Sequence, residues 1–218
     1  MKRLFLLLAM TLSATWATAA QPMSDEETMQ VLDQIAAKRS DGAIQSDFRE
    51  EKKLAMMEKP VVETGTIAFL APNKFRREVP GKSLTVCDGE TLWMYYPVYK
   101  EAEKYTLTSN KALRESLSAM TSGLGLRDIA KNYTVKAERD TDGYTIELTP
   151  RSRAMRGSVQ SITLVIGTDL KARRMVLVSG PGESSTITFS NERKAALSPD
   201  DFSFKPPSGV TVSEPLGR

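Results

Sequence analysis

Thr66-Ile67-Ala68-Phe69, then Leu84-Thr85-Val86-Cys87, then Leu92-Trp93-Met94-Tyr95-Tyr96 are the three runs on which the fold turns. Each has the length of a short strand and is bounded by turn-forming residues. Asp88-Gly89 joins the second run to the third, a pair suited to the positive φ that a tight hairpin requires. The spacing predicts a β-meander between Gly65 and Pro97.

Working outward, the same pattern continues toward the C-terminus. Tyr133 to Glu138, Tyr144 to Thr149, Val159 to Ile166, Arg173 to Ser179 and Ser184 to Ser190 read as strands, with turns at Asp142-Gly143 and Gly180-Pro181-Gly182. Within them Tyr144, Ile146 and Leu148 oppose Thr145, Glu147 and Thr149, so one face of the sheet is dry and the other wet. Upstream, Ile44, Phe48 and Leu54 fall on one side of a long strand, and Asp47, Arg49, Glu51 and Lys53 on the other.

Two segments carry helical spacing instead. Ser24 stands three residues before Glu27, a reciprocal capping box, and Val31, Leu32, Ile35 and Ala36 follow as an apolar stripe. From Asn110 to Lys131, Leu113, Leu117, Met120 and Leu124 fall on one side, with Gly123 and Gly125 as breaks. So many antiparallel strands must curl as their twist accumulates. The predicted architecture is mainly β (α+β): a curved antiparallel sheet forming an unclosed barrel, with a helical lid over its mouth.

Composition narrows the function. Residues 1–19 read as a secretory signal: Lys2 and Arg3, an apolar stretch from Leu4 to Leu12, then Ala17-Thr18-Ala19 as the cleavage site. Cleavage after Ala19 leaves residues 20–218 as a single domain, expected to be monomeric in the periplasm. The 30 Lys plus Arg fall nearly level with the 27 Asp plus Glu once Lys2 and Arg3 are removed, which gives no reason to invoke nucleic acid. Cys87 has no partner for a disulfide and reads as a buried small hydrophobe. The chain has no histidine, so it lacks the usual general base of serine and cysteine hydrolases and the commonest metal ligand. No phosphate loop, zinc pattern or nucleophile elbow is present, so no catalytic residue, metal or cofactor is assigned.

The dry face is read as Phe48, Leu54, Ile67, Phe69, Phe75, Leu84, Val86, Leu92, Met94, Ile146, Leu148, Ile162, Leu164, Met175, Leu177, Ile187 and Phe189. Periodicity does not separate a filled core from a lined pocket, since both produce this alternation. Flexible methionines such as Met56, Met57, Met94, Met120 and Met175 suit either an adaptable binding surface or an irregular core. Arg151, Arg153 and Arg156 follow Pro150 in what reads as a solvated loop, the alternative being contact with an acidic partner surface or an anionic headgroup.

Several blocks carry a resemblance. Gly65-Thr66-Ile67, Pro72-Asn73-Lys74-Phe75-Arg76, Asp88-Gly89-Glu90-Thr91-Leu92-Trp93-Met94-Tyr95 with Pro97, Leu148-Thr149-Pro150, and Asp201-Phe202-Ser203-Phe204-Lys205-Pro206-Pro207-Ser208-Gly209-Val210-Thr211-Val212 fall in the order of the LolA-like periplasmic outer-membrane lipoprotein carriers. The chain resembles that family over nearly all of its mature length. The resemblance implies a non-enzymatic carrier that accepts acylated lipoprotein from an inner-membrane release complex, shields its acyl chains, and passes it to an outer-membrane receptor. It implies a cavity lined by Phe48, Ile67, Phe69, Phe75, Val86, Leu92, Trp93, Met94, Leu148, Leu164, Leu177 and Phe189, with Leu113, Leu117, Met120 and Leu124 as the lid's inward face.

Two departures mark this chain. Family members often carry Arg just before the Pro of the second block, where it latches the lid, and here that residue is Ala71; they often have Trp where Arg77 stands. Arg76 or Arg77 is the expected substitute, as latch or headgroup contact. The alternatives are a paralogue for another envelope lipid, a glycolipid or polyene lipid, and a lipid-sensing regulatory module.

Overall fold

The computed structural model describes residues 20–108, 126–157 and 159–215. The first helix, α1 (Asp25–Arg39), starts as its capping signal requires: the Ser24 hydroxyl accepts from the Glu27 N–H at 3.2 Å, and the Glu27 carboxylate accepts from the Ser24 N–H at 2.9 Å. The bonds that the carboxylate accepts from the Ser24 N–H and hydroxyl hold Glu27 below its ordinary pKa. Asp25, Glu26 and Glu27 occupy the first turn and Lys38 and Arg39 the last, complementing the helix dipole. Val31, Leu32 and Ile35 are buried, which fixes the face that α1 turns to the sheet.

Among the described residues, thirteen strands form one sheet. The N-terminal set is β1 (Gln21–Pro22), β2 (Ala43–Lys53), β3 (Val61–Leu70), β4 (Lys74–Val79), β5 (Ser83–Cys87), β6 (Thr91–Tyr96) and β7 (Glu101–Thr106). A second helix, α2 (Leu126–Asn132), leads into β8 (Tyr133–Arg139) and β9 (Gly143–Pro150). One helical turn, α3 (Arg153–Arg156), then precedes β10 (Ser161–Gly167), β11 (Ala172–Gly180), β12 (Glu183–Ala195) and β13 (Thr211–Ser213).

The order across the sheet is β1-β8-β9-β10-β11-β12-β2-β3-β4-β5-β6-β7-β13. Two meanders, β2 to β7 and β8 to β12, are thus welded by the longest antiparallel pair, β12 with β2, from Ser184↔Lys53 to Ala195↔Ala43. Short edge strands end the sheet on both sides, and β1 and β13 do not pair with each other. The barrel is unclosed, as the alternation predicts.

The two extra full strands are β4 and β7. Lys-Phe-Arg-Arg-Glu-Val and Glu-Ala-Glu-Lys-Tyr-Thr carry charges on both faces, so the apolar alternation that marks the other strands is missing. As a result the first run of the meander pairs with β4, and only through it with β5. At the predicted hairpin, the Asp88 carboxylate accepts from the Glu90 and Thr91 N–H groups, both at 2.8 Å, and Gly89 takes φ +100°. The turn is therefore a three-residue aspartate turn. Gly65 is required for a different reason: a Cβ there would stand 1.9 Å from the Glu78 carbonyl oxygen.

The segment after Pro150 is not a plain loop. Ser152 caps α3 through the Met155 N–H, and Arg151 Nε donates to the carbonyls of Ala130 and Tyr133, pinning the α2 to β8 corner. The lid leucines and Met120 lie outside the described residues.

Both faces of the sheet bury apolar groups. On the inner face, α1 and α2 pack on each other and on β8, above Ile146, Leu148, Ile162, Met175 and Ile187. On the outer face the chain after β12 runs as a strap. Phe202, fully buried, sits among Ala43, Ala68, Leu70, Ala195 and Leu197, and the small alanines leave the room it fills. Phe204 then meets Trp93 and Tyr95 at ring-centroid distances of 5.6 and 5.2 Å.

Candidate functional site

Residues directly opposite in a ladder share a face, so register assigns each expected lining residue. One row crosses the inner face as Ile44, Phe69, Phe75, Cys87, Leu92 and Tyr105. The next is Ser46, Ile67, Arg77, Thr85, Met94 and Glu103. Phe48 pairs with Phe189 on the same face, and Leu148, Ile162 and Leu177 make a third row. Leu164 stands beside Met175 and Ile146. Ten of the twelve expected lining residues therefore face inward.

Val86 and Trp93 do not. They pair with each other and with Arg76 on the outer face, where Trp93 packs on Phe204 beneath the strap. Leu84 shares that outer face with Tyr95. Leu54 lies past the end of β2 and is 41% exposed. The physical reason is the strap: where both faces bury apolar side chains, Leu92, Trp93 and Met94 can be consecutive and all covered, and composition no longer tells the faces apart.

The inward residues divide into two apolar belts. Phe48, Ile67, Leu148, Leu164, Leu177 and Phe189 join the cluster beneath α1 and α2. Phe69, Phe75, Leu92 and Met94 join Cys87, Tyr105 and Leu107 in a separate cluster on β3 to β7. Burial raises the Cys87 thiol above its ordinary pKa, which keeps it an inert packing group. Tyr105 is pushed up to about 12 by burial and by its hydrogen bond to the Glu103 carboxylate at 2.7 Å.

An ion cluster sits on the same face. The Arg77 guanidinium donates to Glu50 at 2.5 Å and Glu63 at 3.2 Å, and lies 4.5 Å over the Phe48 ring. Lys52 reaches Glu63 at 2.9 Å and Glu50 at 3.6 Å, and the Ser185 hydroxyl donates to Glu50. Glu50 and Glu63 are cross-strand partners, an arrangement that repels unless countered. Arg77 and Lys52 supply that counter-charge and leave the group neutral. For Glu63, burial acts upward, but Lys52 and Arg77 outweigh it and hold the carboxyl below its ordinary pKa. Arg76, one residue away, faces outward and pairs with Glu78 at 3.0 Å.

Sequence reading misses Glu50, Glu63 and Ser185. Ile44 and Phe48 imply that every even residue of β2 points inward, which includes Glu50, yet only the fold shows that Arg77 comes to meet it. A hollow of about 710 Å³ over Gly65 is walled by Asp47, Phe48, Arg49, Thr64, Thr66, Pro80, Thr188 and Ser190, a mixed lining in which charged and hydroxyl groups interrupt the continuous apolar wall that an acyl chain takes.

Residues 40–205 match the family model described as outer membrane lipoprotein carrier protein LolA. The outer-membrane lipoprotein carrier protein of Dechloromonas aromatica is 34% identical over 160 residues, covering 71% of this chain and 73% of that protein. Its counterpart in Salmonella paratyphi B is 28% identical over 152 residues, 69% of this chain and 70% of that one. Among solved structures, an uncharacterized conserved protein from Thermus thermophilus superposes with a TM-score of 0.53 at 14% identity, over 86% of this chain and 99% of that one, a likeness of fold alone.

Proposed function

The chain belongs to the LolA family of outer membrane lipoprotein carrier proteins, and from that premise we propose that it ferries acylated lipoproteins across the periplasm. The inner face shields the acyl chains during transfer from an inner-membrane release complex to an outer-membrane receptor. The supporting observation is the apolar belt of Phe69, Phe75, Leu92 and Met94 on the inner face of an unclosed sheet, set apart from the cluster that α1 and α2 fill. In this reading residues 1–19 are an export signal and residues 20–218 a single, non-catalytic carrier domain. None of the described helices is long and apolar enough to cross a membrane.

Energetics sets the manner of binding. Each CH₂ withdrawn from water contributes about 0.8 kcal/mol, so several long chains amount to tens of kcal/mol, beyond any net affinity that permits release. Something must compete for the belt. We assign that role to the segment carrying Leu113, Leu117, Met120 and Leu124, a lid displaced on loading. Ala71 stands where relatives often place a latching arginine, and Arg77 is the cation offered in its place, held on the inner face by Glu50 and Glu63.

Purification from the periplasm followed by mass spectrometry of the extract tests the reading. An acylated lipoprotein is the expected companion; a glycolipid or polyene lipid would reassign the cargo while keeping the belt. Phe75→Asp and Leu117→Asp should each abolish loading with the far-ultraviolet spectrum intact. Normal loading by both variants would overturn the assignment.

A further inference from the structure

The sheet register sorts the connections into two rims, and the rims differ in chemistry. One rim holds the turns β2–β3, β4–β5, β6–β7 and β11–β12 together with the α3 segment between β9 and β10. Its connections carry Lys59, Lys82, Lys100, Arg151, Arg153 and Arg156, all exposed, against a single acid, Glu58. Among the described residues no ion pair engages any of these six cations, and the bonds that Arg151 and Arg156 donate there go to backbone carbonyls. The described connections of the opposite rim carry Asp41, Asp88, Glu90, Asp140, Asp142 and Asp169 against one cation, Lys171.

The exposed apolar groups follow the same division. Met56 is 99% exposed, Tyr99 73% and Val98 70%, and Met57 and Leu54 stand beside Met56, all in turns of the cationic rim. Among the described residues the two remaining large exposed apolar groups, Val62 and Val212, are the second residues of β3 and β13, at the same rim. Isolated exposed apolar groups need no explanation, but their confinement, among the described residues, to one rim beside cations with no described ion pair does.

From this arrangement we infer that the cationic rim docks on the surface of an anionic phospholipid bilayer. Leu54 and Met57 line a hollow of about 450 Å³ between the β2–β3 and β11–β12 turns, but Met56, Val98 and Tyr99, the most exposed of the set, stand outside it on two separate turns. The set therefore fits a fluid partner that accommodates each tip separately better than a rigid protein surface. Met56, Met57, Val98 and Tyr99 enter the interfacial layer, while the lysines and arginines around them meet lipid phosphates. The acidic rim faces away, which orients the molecule on the membrane. Lys53, Glu101 and Glu183 at the adjoining strand ends leave the excess of positive charge in place.

Flotation of the cargo-free mature protein with vesicles tests this without any lipoprotein, so its failure leaves the carrier reading standing. Vesicles of phosphatidylethanolamine with one quarter phosphatidylglycerol should bind about tenfold more protein than phosphatidylcholine vesicles at low salt, and the excess should vanish as salt shortens the screening length. Met56→Asp with Met57→Asp, and separately Lys59→Glu with Lys82→Glu and Lys100→Glu, should each reduce binding about tenfold. These positions are exposed, so the spectrum and melting temperature should hold, and Glu90→Lys at the far rim should change nothing. Equal binding to both vesicles, binding to neither, retention by the rim variants, or binding that appears only when a membrane protein is reconstituted would overturn the inference.

Discussion

Arg77→Met isolates the ion cluster on the inner face. The Arg77 side chain is 16% exposed and its partners Glu50 and Glu63 are 8% and 17% exposed, so removing the guanidinium leaves two neighbouring carboxylates poorly solvated. Breaking one side of a buried pair costs about 3–5 kcal/mol. Lys52 stays within 2.9 Å of Glu63 and 3.6 Å of Glu50, and Ser185 still donates to Glu50, which puts the expected loss near the lower bound, about 3 kcal/mol. Methionine keeps apolar cover over Phe48, so little of that loss is packing. For a chain of this size the melting temperature should fall by roughly 6–12 °C. Adding Glu50→Gln should recover about 2 kcal/mol, because a neutral amide no longer requires the cation. Urea unfolding of the wild type, both single variants and the double variant measures the coupling. Glu63 is held below its ordinary value, so its contribution is complete above the unfolded carboxylate pKa and fades as pH falls through the folded one. The Arg77→Met penalty should therefore shrink in acid. A penalty under about 1 kcal/mol at neutral pH, or no recovery in the double variant, would refute the reasoning.

Phe202→Ala should cost about 3–5 kcal/mol in urea unfolding, since a fully buried ring would leave a void among alanines that cannot close over it. Trp93→Ala should loosen the strap, read as faster limited proteolysis around residues 203–210, while cargo loading stays normal because Trp93 is on the outer face. Gly65→Ala should cost about 3 kcal/mol or more in thermal melts, because the new Cβ meets the Glu78 carbonyl, a backbone atom with no freedom to swing aside.

How much could be read in advance depended on whether a feature was local. The α1 capping box, the aspartate turns and the strands of clean alternation are written in adjacent residues, and the structure has them where the spacing predicts. Strands β4 and β7 escaped because their charges mask the period. Arg151, expected in a solvated loop, turned out to anchor a corner, since its partners are carbonyls about twenty residues upstream.

The amino-acid sequence determined by itself that this is a twisted, mostly antiparallel sheet with a capped helix, poor in the groups that catalysis and metal binding ordinarily use. Only the tertiary structure decided which side of β5 and β6 faces inward. A period of two says that alternate residues share a face, but where a strap buries the other side as well, adjacent Leu92 and Trp93 are both covered and the choice belongs to the packing. The meeting of Glu50, Glu63, Arg77 and Ser185, and the gathering of cations and exposed apolar tips at one rim, likewise arise from strands far apart in sequence and paired side by side.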